Sequence, residues 1–180
     1  MKKILLATVA VALFAGMALA QVDQTGTTNI EVKVVGVFTM TLTPASGSTI
    51  TYGDGVTTMV PGTSDNTKTV GILVKSNFKN NTWYLKVNQD QILTDAAIVE
   101  TIPSANFTHT STGGLGVHAD AAATEFVTTT PTLFYTCDAA ERKNIPTGTT
   151  ITQQLQLLVP DTQAAGTYIN TLTYTLTVTP

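Results

Sequence analysis

The chain has little charge, a single cysteine and no second long apolar stretch, and each scarcity excludes something. Asp, Glu, Lys and Arg make up 12% of the 180 residues, and the formal net charge is −3. A nucleic-acid partner needs a basic face to displace condensed counterions, and no basic cluster is present. The one cysteine, Cys137, excludes an intramolecular disulfide. Stability must come from a core, and Cys137, following Leu133, Phe134 and Tyr135, is expected as a small buried apolar residue rather than a reactive thiol or an intermolecular bridge. Beyond Phe14 no apolar run is long enough to cross a bilayer of ~30 Å, so the mature chain is expected to have no transmembrane segment.

Catalytic signatures are equally scarce. There is no G-x-S-x-G elbow, P-loop or H-E-x-x-H, and no carboxylate pair that the sequence places as the acid and base of a glycosidase. The two histidines, His109 and His118, fall in a polar segment. His118-Ala119-Asp120 sets two polar side chains on one strand face, but a metal site needs three or four protein ligands, so the segment reads as a solvated loop. Asp54, Asp65, Asp138 and Asp161 fall in expected turns, where aspartate is ordinary turn chemistry before it is a calcium ligand. The sequence therefore predicts no enzyme, no metal and no cofactor.

What is present begins with Met1-Lys2-Lys3, an apolar run from Ile4 to Phe14, and Ala18-Leu19-Ala20. These are the three parts of a secretory signal peptide over residues 1–20, cleaved before Gln21, and they imply a secreted, extracellular or cell-surface protein. The roughly 160 residues that follow suit one domain, entered through a polar tail over 21–28. Threonine fills about a fifth of the chain, a composition that packs well on pleated surfaces.

Period-two alternation runs through that domain, and it puts one face of each strand indoors. It is clearest in the terminal stretch, where Tyr168, Leu172, Tyr174, Leu176 and Val178 point one way and Ile169 and five threonines the other. From Ile30 the even positions run Ile30, Val32, Val34, Gly36, Phe38, Met40 and Leu42 while the odd ones include Glu31, Lys33, Thr39, Thr41 and Thr43, giving a long strand up to Pro44 with a bend expected at Gly36. Short strands are expected at Thr49–Tyr52 and Val56–Val60 around Gly53-Asp54-Gly55. A hairpin is expected from Thr69–Ser76 through a polar turn into Trp83, Leu85 and Val87, with Tyr84 and Lys86 on the opposite face. Further strands are expected at Ala97–Ile102, Asn106–Thr110, Phe126–Thr129, Leu133–Cys137 and Thr150–Val159, with a turn or short helix over Asp138–Lys143. Around ten short strands with turns between them predict an all-β, antiparallel β-sandwich, Ig-like or jelly-roll-like. Trp83, in register with Leu85 and Val87, is expected in the core, leaving Tyr84 and Lys86 as candidate exposed contacts.

Trp83-Tyr84-Leu85 after a polar turn and Tyr174-Thr175-Leu176 in the terminal strand resemble the two W-x-L motifs of the WxL domain, with Tyr174 in place of the second tryptophan. Leu93–Val99 is similar to that family's middle region. The resemblance implies an exported protein of low-GC Gram-positive bacteria that attaches without covalent linkage to the cell wall, with Trp83, Leu85, Tyr174 and Leu176 as the binding motif. The ending Gly166-Thr167-Tyr168 and its Thr-rich strand is also similar to sandwich subunits of fimbriae and matrix fibres.

Two readings of function follow. In the first, the sandwich associates with peptidoglycan or another wall glycan. In the second, it is a homo-oligomer-forming subunit of a fibre or pilus that passes a strand carrying Ile30, Val32, Val34, Phe38, Met40 and Leu42 to a copy of itself, filling a sheet edge with main-chain hydrogen bonds.

Overall fold

The computed structural model describes residues 29–53 and 58–180. The expected signal peptide, the polar tail and the turn residues Asp54 and Gly55 lie outside the described residues. The chain divides into two units, Met1–Val34 and Val35–Pro180. In the first, residues 29–34 form no strand and are exposed. Glu31 and Lys33 make an exposed 3.6 Å ion pair there.

The second unit is an all-β sandwich, as its alternation predicts. One sheet has the order β1-β2-β10-β6-β8, built from β1 (Phe38–Thr43), β2 (Ser64–Ser76), β10 (Thr149–Leu158), β6 (Phe107–Gly113) and β8 (Thr124–Glu125). The other has the order β11-β3-β9-β7, built from β11 (Leu172–Thr177), β3 (Tyr84–Gln89), β9 (Thr132–Thr136) and β7 (Val117–His118). A separate hairpin pairs β4 (Leu93–Asp95) with β5 (Glu100–Ile102). Every strand pair is antiparallel. The inward residues of the central strands close a common core of Val70, Ile72, Val74, Trp83, Leu85, Val87, Ile151 and Leu155, with aromatic packing of Trp83 on Tyr135 and of Phe107 on Phe126.

Several boundaries differ from the expected ones, each for a physical reason. The first strand starts at Phe38 rather than Ile30, because β1 pairs Phe38 with Ser76 at the very end of β2. Beyond that point the Asn77 side chain replaces a strand: its amide oxygen accepts from the Val37 N–H (2.7 Å) and its amide nitrogen donates to the Val35 carbonyl (2.8 Å).

The expected hairpin from β2 into β3 is instead a crossing between sheets. Both strands carry one fully buried face, and a sandwich satisfies both by setting them opposite each other rather than side by side. Residues 49–52 and 58–60 form no strand; Ile50, Tyr52 and Met59 pack against the core without joining a ladder. Phe126–Thr129 is not a strand either: its pairing is limited to one isolated parallel bridge between Thr128 and Gln89, and Phe126 is buried in the core. The last strand is shorter than its alternation, because Ile169 pairs with Thr94 of β4 before β11 begins.

Candidate functional site

Two parts of the sandwich depart from a plain apolar core: a chain of buried polar groups across its middle, and the incompletely covered end at β1 and β11.

The polar chain grows from β6, whose inward residues are Phe107, His109 and Ser111. Ser111 is cross-strand from Gln153 of β10, another polar residue in a core position. The histidine is buried, not solvated, and so is Asp120, which follows β7. His109 Nδ1 lies 2.7 Å from the Asp120 carboxylate, whose other oxygen accepts from the Ser111 hydroxyl. Ser111 also meets His118 Nδ1 at 2.7 Å, and His118 Nε2 meets the Gly113 carbonyl at 2.7 Å. The Gln153 amide nitrogen sits 3.1 Å from His109 Nδ1, but the shorter contact to a carboxylate assigns the ring proton to Asp120. At the far end the Tyr174 hydroxyl donates to the Gln153 amide oxygen.

Ser111, His118 and Asp120 are the residue types of a nucleophilic relay, yet their arrangement is not one. Asp120 engages the serine and His109 instead of orienting His118, and Ser111 is buried. The arrangement satisfies buried polar groups and ties β6, β7, β10 and β11 together. Among the described residues no group of three or more His, Cys, Asp and Glu side chains is placed to hold a metal ion. The signal for this cluster was present in the sequence: Phe107, His109 and Ser111 share one face of an alternating strand, and His118 and Asp120 share another. Alternation alone does not place them in the core, because polar residues argue against a core face.

A second buried carboxyl organises the loop after β6. Glu141 lies in a single 3-10 turn, Ala139–Glu141, capped by Asp138. It accepts from the Leu115 N–H (2.8 Å), the Tyr135 hydroxyl (2.6 Å) and the Asp138 N–H (2.8 Å). Burial, reinforced by the hydrogen bond to Glu141, pushes the Tyr135 phenol above its ordinary value. Gly116 lies so close to Tyr135 and the Thr136 carbonyl that a Cβ there has no room. The glycine-rich turn is therefore fastened down.

The candidate binding residues separate by depth. Trp83 and Leu85 are fully buried, and the Trp83 indole donates to the Glu141 carbonyl at 3.2 Å. Cys137 is also buried, accepts from the Trp83 N–H, and has a thiol pushed up chiefly by that burial. Tyr174 and Leu176 sit half-buried on β11, in register with Val87 and Leu85. Burial pushes the Tyr174 phenol up, and Tyr52, whose own hydroxyl has no hydrogen-bond partner among the described residues, adds to the effect. Tyr84 and Lys86 are half-exposed on the outer face, beside Thr177 and Thr175.

Phe38, Met40 and Leu42 form the inward face of β1 but are only partly buried. Ile30, Val32 and Val34 stand exposed at 85%, 77% and 81%. Comparison with protein-family models, with curated proteins and with solved structures gives no match. Function is therefore argued from this geometry.

Proposed function

We propose that the chain is an exported, non-catalytic structural protein whose copies join into a fibre by strand donation, with the segment around Ile30–Val35 as the donor. One observation carries this reading: Ile30, Val32, Val34 and Val35 stand almost fully exposed ahead of the first strand. Four large apolar side chains within six residues are costly to leave in water, at about 25 cal/mol per Å². Inserted beside another copy's sheet, the alternate residues Ile30, Val32 and Val34 find a core while the main chain completes a ladder.

Association with a wall glycan is the second reading, and the outer face of the four-stranded sheet favours it. Tyr84 and Lys86 lie there among threonines, an aromatic surface with polar surroundings suited to a sugar ring. The buried Trp83 and Leu85 would then support that face from behind.

One experiment separates the two. Mature protein and the variant Ile30→Asp/Val32→Asp/Val34→Asp are imaged by negative stain and sedimented with isolated cell walls. Strand donation predicts filaments for the parent and monomers for the variant, whose fold the exposed substitutions leave intact. A parent that stays monomeric at high concentration overturns it; wall sedimentation equal for both proteins supports the glycan reading instead.

A further inference from the structure

The two ends of the sandwich are finished differently. At one end the edge strands β7 and β8 have two residues each, which leaves almost no ladder to extend. At the other, β1 and β11 have six residues each, with sequences FTMTLT and LTYTLT. Neither contains a charge or a proline, the usual devices that keep an edge from pairing. Neither ladder has a bulge.

The sheets are also unequal, five strands against four. Phe134 of β9 faces His109 of β6, and Tyr174 of β11 reaches Gln153 of β10. These contacts set β11 inside the edge of the larger sheet, so that among the described residues its outer edge has no partner strand and β1 has no counterpart across the core. Burial follows the same geometry. Leu85 and Val87 of β3 are fully buried, whereas their neighbours Leu176 and Tyr174 on β11 are half-buried. Ile72 and Val74 of β2 are fully buried, whereas their partners Leu42 and Met40 on β1 are not. Among the described residues the smaller sheet has one strand fewer at this end.

Resting on the strand-donation reading, we infer that the acceptor is the free edge of β11, and that its occupant is residues 30–35 of a second copy, added as a fifth strand over β1. The donor matches the vacancy in three respects. It has the length of β11. Its apolar face, Ile30, Val32 and Val34, supplies what Leu172, Tyr174 and Leu176 lack beside them and what Phe38, Met40 and Leu42 lack above them. Its other face carries Glu31, Lys33 and Val35, and the two charges would remain in water next to the threonines of β11, of which Thr173 is exposed. The outer edge of β1 is the competing acceptor, but a strand added there would widen the larger sheet and leave the same apolar residues uncovered.

Hydrogen–deuterium exchange on the full mature chain, dilute and assembled, distinguishes the edges. Amides of Leu172–Thr177 should exchange at least tenfold more slowly in the assembled protein, with those of Phe38–Thr43 changing much less. As a second measurement, Lys33→Cys combined with Thr175→Cys should give disulfide-linked copies on oxidation, and Lys33→Cys combined with Thr41→Cys should not. Assembly with protection or cross-linking at β1, or at neither strand, overturns the β11 assignment and leaves strand donation standing. Absence of any assembly removes the strand-donation reading itself, and this inference with it.

Discussion

Single buried residues decide how this sandwich holds its loops, and Glu141 is the clearest case. Its carboxyl, itself buried, satisfies two backbone N–H groups and the buried Tyr135 hydroxyl. Unpaired buried donors cost more than a made hydrogen bond returns. Glu141→Ala should therefore lower stability by about 3 kcal/mol, and Glu141→Gln by less, because the amide oxygen still accepts. Urea denaturation of the monomer measures both. Asp120 has the same logic on the other side of the core, where it satisfies His109 and Ser111 together.

At the scale of elements, one carboxylate joins the β4–β5 hairpin to the stretch before the last strand. Asp95, at the end of β4, accepts from the Thr167 N–H (2.5 Å) and from the Ala97 N–H (2.8 Å). These bonds, the one from Thr167 foremost, hold its carboxyl below the ordinary value of 3.8. A carboxyl lowered in the folded state adds stability above its unfolded value, and that contribution disappears as pH falls through the lower folded value. Asp95→Asn should thus be less stable than the parent at neutral pH, with the gap closing as pH falls below the ordinary carboxylate value of 3.8, as urea midpoints across an acid series would show.

The same scale shows what the sequence disclosed. Strands whose apolar residues alternate and meet a partner, such as β10 with Ile151, Leu155 and Leu157, were legible within a residue or two, since periodicity and burial coincide there. The segment Ile30–Val34 has equal alternation and forms no strand, because pairing depends on a neighbour that periodicity cannot reveal. The crossing from β2 to β3 looks like a hairpin in the sequence for a related reason: two half-buried strands look alike whether they lie side by side or face to face. The core status of Trp83 and Cys137 was legible from their apolar company. The buried His109 and Asp120 were not, because polar residues announce an interior position only through partners distant in sequence.

For the whole molecule, low charge shapes how copies would meet. The proposed contact has no charged residue on β1 or β11, and Glu31 and Lys33 on the donor already pair with each other. Coulombic steering should contribute little, and salt screens only what charge supplies. Filament formation should therefore vary less than about threefold between low and high salt, as light scattering would record; a collapse on adding salt would point to a charged interface elsewhere.

The position of Trp83 has a practical consequence. The chain's one indole is sealed in the interior against Tyr135, with no exposed surface. Its fluorescence should report the integrity of the fold while remaining blind to polymer growth, so a single optical signal can tell a subunit that has come apart from one that has merely lost its neighbours.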